Sequence, residues 1–258
     1  MGFHPTALVA PGAEVDPSCE IGPFAVIGPE VKMGPRNAVG AHAVVEGDTT
    51  LGEGNRVFPH ACLGQIPQDL KYRGEHTRLV IGDKNQFREF TTIHVGTAGG
   101  GGVTRIGNGC LFMANSHVAH DCRVEDGCIL ANSVPLAGHV WLEDHVILGG
   151  LSGVHQFTRV GRFAMAAGGS VVVQDVAPYC LVQGDRAQVV GINAIGLERG
   201  GYTAEQVARV KEAHRIVFRQ RLGLKEACEQ LRAAYPEAPE IAHLVAFLEG
   251  VGERGLVR

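Results

Sequence analysis

The chain has 258 residues, 45% of them hydrophobic and 19% charged, a balance that suits one large domain, or one large and one small, and excludes a disordered chain. A formal net charge of −4 argues against a generic nucleic-acid binder, whose footprint would be basic. No stretch approaches the ~20 apolar residues of a membrane span, the start carries no signal-peptide pattern, and seven scattered cysteines without a CxxC pair point to a reducing, cytoplasmic setting.

From Phe3 the chain repeats every six residues. Stepping by six gives Val9, Val15, Ile21, Ile27, Met33, Val39, Val45, Leu51, Val57 and Leu63, then Ile81, Phe87 and Ile93, then Ile106 and onward to Val172, and every slot is apolar. The residue two before the slot is short (Ala25, Ala43, Ala61, Ser116, Ser152) and the one after it is often glycine (Gly22, Gly28, Gly34, Gly52). Period six fits neither an amphipathic helix nor an alternating strand. It fits short strands joined by tight bends, three to a triangular coil of 18 residues, with coils stacking as parallel strands about 4.8 Å apart. The pattern resembles the hexapeptide-transferase family. That resemblance implies an all-β, left-handed parallel β-helix; the general crossover rule alone favours the other hand. The repeat predicts a β-helix domain over residues 1–190.

Two segments interrupt it, 64–80 and 94–105. The first keeps the six-residue register and reads as a whole coil's worth of chain leaving and returning; the second shifts it by one. Long excursions from a rigid coil are commonly functional. The run Gly99 to Gly102 lacks the Gly-Lys-Ser/Thr of a phosphate loop and reads as a flexible excursion.

The densest polar block is Asn115-Ser-His-Val-Ala-His-Asp121, joined by Gly138-His139 and His155-Gln156. With 18 residues per coil, His120, Gly138 and Gln156 fall in one column and Asp121 and His139 in the next. A lone polar residue on a coil corner is usually solvated and inert; several imidazoles along one edge are not. An imidazole takes a proton near neutral pH, as a general base for a hydroxyl must, and an adjacent Asp121 would orient it. The Gly138 amide could approach an oxyanion without hindrance. Cys110, Cys122 and Cys128 occupy short slots and read as core fillers.

After Gly201 the period becomes helical. Thr203 to Gln206 reads as a capping box; further helices are expected over Leu224–Tyr235 and Glu240–Glu249, giving a small helical domain at 191–258 that caps the last coil.

The combination of Gln68-Asp-Leu-Lys71, His117-x-x-His120-Asp-Cys122, Ala137-Gly-His139, Val154-His-Gln-Phe157, Gly184, Gly191-x-Asn193 and the terminal Arg254-Gly-Leu-Val-Arg258 is similar, over essentially the whole chain, to the acyl-carrier-protein-dependent UDP-N-acetylglucosamine O-acyltransferases that begin lipid A synthesis. The resemblance implies a homotrimer that needs no cofactor or metal, with acyl carrier protein as donor and UDP-N-acetylglucosamine as acceptor. It implies His120 as base on the sugar 3-OH, Asp121 as its orienter and Gly138 as oxyanion donor. Gln68, Asp69, Lys71, His117 and His139 would contact sugar or acyl chain, with Lys71 given by a neighbouring subunit. His155, Gln156, Asn193 and Arg199 would hold the nucleotide. Gly168 would floor the acyl-length ruler, leaving room for a long 3-hydroxyacyl group. One departure stands out: where the family commonly has two consecutive basic residues, Arg199 is followed by Gly200, so Arg186 is a candidate to compensate. Arg209, Lys211, Arg215, Arg219 and Arg221 form a candidate docking face for an acidic carrier protein. The competing readings are a trimeric zinc lyase using His117, His120 and His139, a non-catalytic scaffold, and an acetyl-CoA-dependent acetyltransferase.

Overall fold

The computed structural model describes residues 2–258. Most of its strands are two residues long, and they assemble into three sheets of nine, eight and ten strands that form the faces of a triangular prism. Face I begins at Leu8–Val9, face II at Glu14–Val15 and face III at Glu20–Ile21. Successive strands visit the three faces in turn, and each pairs in parallel with the strand one coil on, for example Leu8↔Val26 and Val9↔Ile27. The coil is a left-handed parallel β-helix.

The six-residue rule explains what lies inside. From Ile21 to Val172 each slot residue is buried, none more than 4% exposed. Phe3 is exposed and Val9 and Val15 half-buried, because the first coil has no coil before it. Each fully buried aliphatic side chain contributes about 1.5–3 kcal/mol of transfer free energy, so the core is spread evenly along the axis. Ala25, Ala43, Ala61, Ser116 and Ser152 are completely buried at the bends, as are Cys110, Cys122 and Cys128 to within 1%. The bends also hold non-glycine residues in the left-handed region, among them Asp121, His139 and Phe157 with φ of 60°, 62° and 62°. Such a conformation costs free energy, and the stacked coils impose it.

The first excursion differs from the sequence expectation. Leu63 lies on face I and Ile81 on face II, so the chain makes one ordinary step to the next face with two extra hexapeptides' worth of residues looped out, not a whole coil. Ile93 and Ile106 span the same two faces. Both excursions therefore leave the prism at the corner between faces I and II.

The last coil strand, Cys180–Gln183, is followed by an antiparallel return, Gln188–Ile192. Four helices follow: α1 (Ala194–Arg199), α2 (Ala204–Arg219), α3 (Leu224–Ala234) and α4 (Pro239–Glu249). The short α1 escaped the sequence reading. The capping box at Thr203 and Gln206 is formed. Helix α4 is tied to face II through buried Glu143, which accepts from His243 Nε2 (2.8 Å) and the Arg162 N–H (2.9 Å) and pairs with Arg159, whose guanidinium lies over Phe247. Near the C-terminus, Leu256 bridges Asp175 in parallel, adding a strand-like edge to the end of the coil.

Candidate active site

The corner between faces I and II is where Val118 leads to Val124, Leu136 to Leu142 and Val154 to Val160. Residues 120–121, 138–139 and 156–157 sit at its bends, one coil apart, so the two columns expected from the 18-residue register are present. His139 N–H donates to the His120 carbonyl (3.1 Å) and Phe157 N–H to that of Gly138 (3.2 Å). Beside the corner, a cavity of ≈ 400 Å³ on face I is lined by Gln68, His94, His117, His120, Gly138 and His155, among others.

His120 Nδ1 lies 2.7 Å from Asp121 Oδ2. The Asp121 side chain is 0% exposed and accepts two further bonds, from the Thr97 N–H (2.9 Å) and the Thr97 hydroxyl (2.6 Å). A carboxylate so placed accepts the Nδ1 proton and leaves the Nε2 lone pair free. Gly138 runs directly beneath the imidazole: a Cβ there would stand 2.6 Å from His120 Cε1 and 2.8 Å from Nε2, so any larger residue would displace the ring. Among the described residues the Gly138 N–H donates to no acceptor in the chain.

Burial disfavours the charged form of three neighbouring imidazoles, His94, His117 and His139. Burial, reinforced by His117 and His120, drives His94 down to about 4. Burial and His120 lower His117, whose Nδ1 is 2.7 Å from the Thr92 hydroxyl. Burial lowers His139 too, against the opposing pull of Asp121 and Asp69. Its ring stands at right angles to His120 and stacks on Phe157 at 4.3 Å. His120, Asp121 and His139 offer donor atoms within 4.8 Å of one another, but the carboxylate already takes three bonds from Thr97 and His120.

The remaining expected residues are distributed. His155 is exposed at the cavity rim and Gln156 is exposed at the corner. Asp69 Oδ1 accepts from the Lys71 N–H (3.0 Å), while Lys71 itself points outward beside Leu70, which is 94% exposed. Gly168 stands at the opposite edge of face I, between faces III and I, where a Cβ would meet Gly150 O at 3.2 Å. Asn193 and Arg199 are not brought to His120. They line a separate, largely apolar cleft of ≈ 950 Å³ between α1 and face III. Asn193 is buried and uses both ends of its amide, accepting from the Gly196 N–H as the N-cap of α1 and donating to the Phe163 carbonyl. Arg186 follows Asp185, which bridges Val171 on face I, so it lies on the face that holds the cavity. On α2, Arg209 and Arg215 are engaged by acidic partners, Glu205 and Glu240 for the first and Glu212 for the second; Lys211 and Arg219 on the same helix, and Arg221 just past its end, make no ion pair among the described residues.

Sequence reasoning missed His94 and Thr97. His94 carried a signal: it directly follows the Ile93 slot, where glycine or alanine is usual, as His155 follows Val154.

The coil matches the bacterial transferase hexapeptide family over residues 104–134, and residues 175–257 match the family described as UDP N-acetylglucosamine O-acyltransferase, domain 2. The chain is 64% identical, over the full length of both, to an acyl-[acyl-carrier-protein]–UDP-N-acetylglucosamine O-acyltransferase from Anaeromyxobacter sp. (strain K). It is 56% identical to the enzyme of that name from Myxococcus xanthus (strain DK1622), covering 99% of this chain and 98% of that one. The crystal structure of UDP-N-acetylglucosamine O-acyltransferase from Moraxella catarrhalis RH4 superposes with a TM-score of 0.97 at 41% identity, all of both chains covered.

Proposed function

The chain belongs to the acyl-[acyl-carrier-protein]–UDP-N-acetylglucosamine O-acyltransferase family, and from that membership we propose how its own residues perform acyl transfer. The activity is transfer of an acyl group from acyl carrier protein to UDP-N-acetylglucosamine, the reaction that opens lipid A synthesis. His120 Nε2 takes the proton of the sugar 3-OH while Asp121 holds the Nδ1 proton. The hydroxyl oxygen attacks the thioester carbonyl carbon, and the carbonyl electron pair moves to oxygen, where the free Gly138 N–H receives it. Collapse breaks the C–S bond, and the imidazolium returns its proton to the departing thiolate. The observation that carries this reading is the 2.7 Å His120–Asp121 contact set over the Gly138 backbone.

Gln68, Asp69, His117 and His139 surround the acceptor sugar in this scheme. The acyl chain crosses face I over the small residues Ala119, Ala137 and Gly153 towards Gly168, which leaves room for a long 3-hydroxyacyl group. His155, Gln156, Asn193 and Arg199 serve the nucleotide, with Arg186 on the cavity's own face supplying the basic contact that Gly200 lacks. Because Asn193 and Arg199 lie on face III and His120 on face I, one chain's halves meet only across a boundary between copies. A homotrimer around the prism axes, with Lys71 and Leu70 reaching to the neighbour, joins them. Coil (1–190) and helical domain (191–258) divide the work, the former doing chemistry and the latter presenting Lys211, Arg219 and Arg221 to the carrier protein. All seven cysteines are free thiols, in keeping with work in a reducing compartment; among the described residues no helix is long and apolar enough to cross a membrane.

Turnover with UDP-N-acetylglucosamine and a panel of acyl carrier protein thioesters, compared between wild type and His120→Ala, tests the scheme. We expect kcat/KM to fall roughly 10²-fold or more with folding unchanged. Near-normal turnover removes His120 from the base role.

A further inference from the structure

The loop 94–105 has no counterpart in a regular coil, yet it is anchored on both sides: the Val95 N–H donates to Gln65 O (3.0 Å), the Gly96 N–H to Arg78 O (3.2 Å), and the Arg78 N–H to Gly102 O (3.0 Å). Within it, Thr97 is 6% exposed and directs both its N–H and its hydroxyl at Asp121. We propose that Thr97, backed by Gly100, is the positioning residue of the reaction: it fixes the Asp121 carboxylate and, through it, the His120 ring. The proposal rests on His120 and Asp121 acting as described above.

The four glycines of the run meet different constraints. Gly101 and Gly102 take φ of 93° and 78°, where a side chain is strained. Gly100 has no such φ, but a Cβ on it would stand 2.0 Å from the Asp121 carboxylate carbon. Gly99 has neither constraint, since nothing lies within 4 Å of its Cβ position. The Thr97 carbonyl accepts from the N–H groups of Gly100 (3.0 Å) and Gly102 (2.8 Å), which closes the turn and delivers the bare Gly100 backbone against the carboxylate. Thr104 completes the grip: its hydroxyl accepts from the Asp121 N–H at 2.9 Å. A carboxylate held by two donors from one residue and covered by a glycine cannot swing, so the bond to His120 Nδ1 keeps one geometry.

The experiment compares steady-state kinetics of the full-length enzyme carrying Thr97→Val, Thr97→Ser, Gly100→Ala or Gly99→Ala, with His120→Ala alongside. Thr97→Val should lose about 10-fold or more in kcat, with KM for the sugar nucleotide and for the acyl carrier protein thioester within about 3-fold of wild type. Thr97→Ser, which keeps the hydroxyl, should recover most of that loss. Gly100→Ala should lose kcat likewise, and Gly99→Ala should match wild type. Thermal unfolding of each variant separates misfolding from mispositioning; if Thr97→Val unfolds early, the contrast between Gly100→Ala and Gly99→Ala decides. The proposal is overturned if Thr97→Val keeps its kcat, if serine fails to rescue it, if the loss falls in KM, or if the two alanine variants behave alike. Full activity in His120→Ala would instead sink the base assignment on which the positioning role depends.

Discussion

At the scale of single residues, the imidazoles around the corner differ in their surroundings. His94, His117 and His139 are each pushed towards the neutral form by burial, while His120 alone makes a 2.7 Å bond to a carboxylate. His94 has a measurable consequence for stability. Its folded-state value of about 4 lies below the ordinary 6.5, so as pH falls through that interval the unfolded chain takes a proton the folded one refuses. The stabilisation it provides is complete above 6.5 and lost on acidification towards 4. His94→Gln should therefore show a smaller drop in thermal midpoint between pH 7 and pH 5 than wild type does; equal drops would remove the buried imidazole as the cause. His94, which sequence reasoning missed, is spread by the fold between the coil and an excursion. Of the histidines the sequence singled out, His120 and His139 sit at adjacent bends, where 18-residue arithmetic suffices, while His117 and His155 lie on or just past strands of face I.

At the scale of elements, the contact between α4 and face II is an ionic one set in a buried place. Burial alone would raise the Glu143 carboxyl, yet the His243, Arg162 and Arg159 donors outweigh it and bring it down to about 2. A depressed carboxyl stabilises the fold fully above its unfolded value near 4.5, and the contribution is lost as pH falls from there towards 2. At neutral pH the difference corresponds to about 3 kcal/mol. Glu143→Ala also strands Arg159 and His243, so it should lower the thermal midpoint clearly at pH 7 and by much less near pH 3, as read by scanning calorimetry. A pH-independent loss would show that packing, not charge, couples helix to coil. The count of residues from Leu63 to Ile81 was plain in sequence, but whether it meant a coil or a loop depended on which face received Ile81. The run at Gly99 to Gly102, read as flexible, is pinned by local bonds to Thr97, which itself bonds Asp121, and by a bond from Arg78 to Gly102. The partners Asp121 and Arg78 lie too far along the chain to be read from it.

At the scale of the whole molecule, a single prism leaves its parts divided. The apolar tip of the first excursion, with Leu70 94% and Ile66 69% exposed, projects from the same corner that carries His120, while Asn193 and Arg199 lie on another face. Exposed apolar side chains of that size on an ordered loop mark a contact surface. Analytical ultracentrifugation should find a mass about three times the 27.3 kDa of the chain. Leu70→Asp combined with Ile66→Asp should shift it towards the monomer and cut turnover at least ~10-fold in parallel; a fully active monomer would end the shared-site reading.

The six-residue apolar slots by themselves determined the prism, because a core this thin admits one large inward residue per strand and leaves its period in the chain. They also determined the columns at residues 120–121, 138–139 and 156–157, since a fixed coil length turns sequence separation into distance. Only the tertiary structure decided what the two excursions do, that Thr97 and Gly100 hold Asp121, that Asn193 caps a helix, and that Arg199 faces away from His120. Those facts depend on contacts between segments whose spacing follows no repeat, and irregular chain leaves no periodic trace from which its partners can be read.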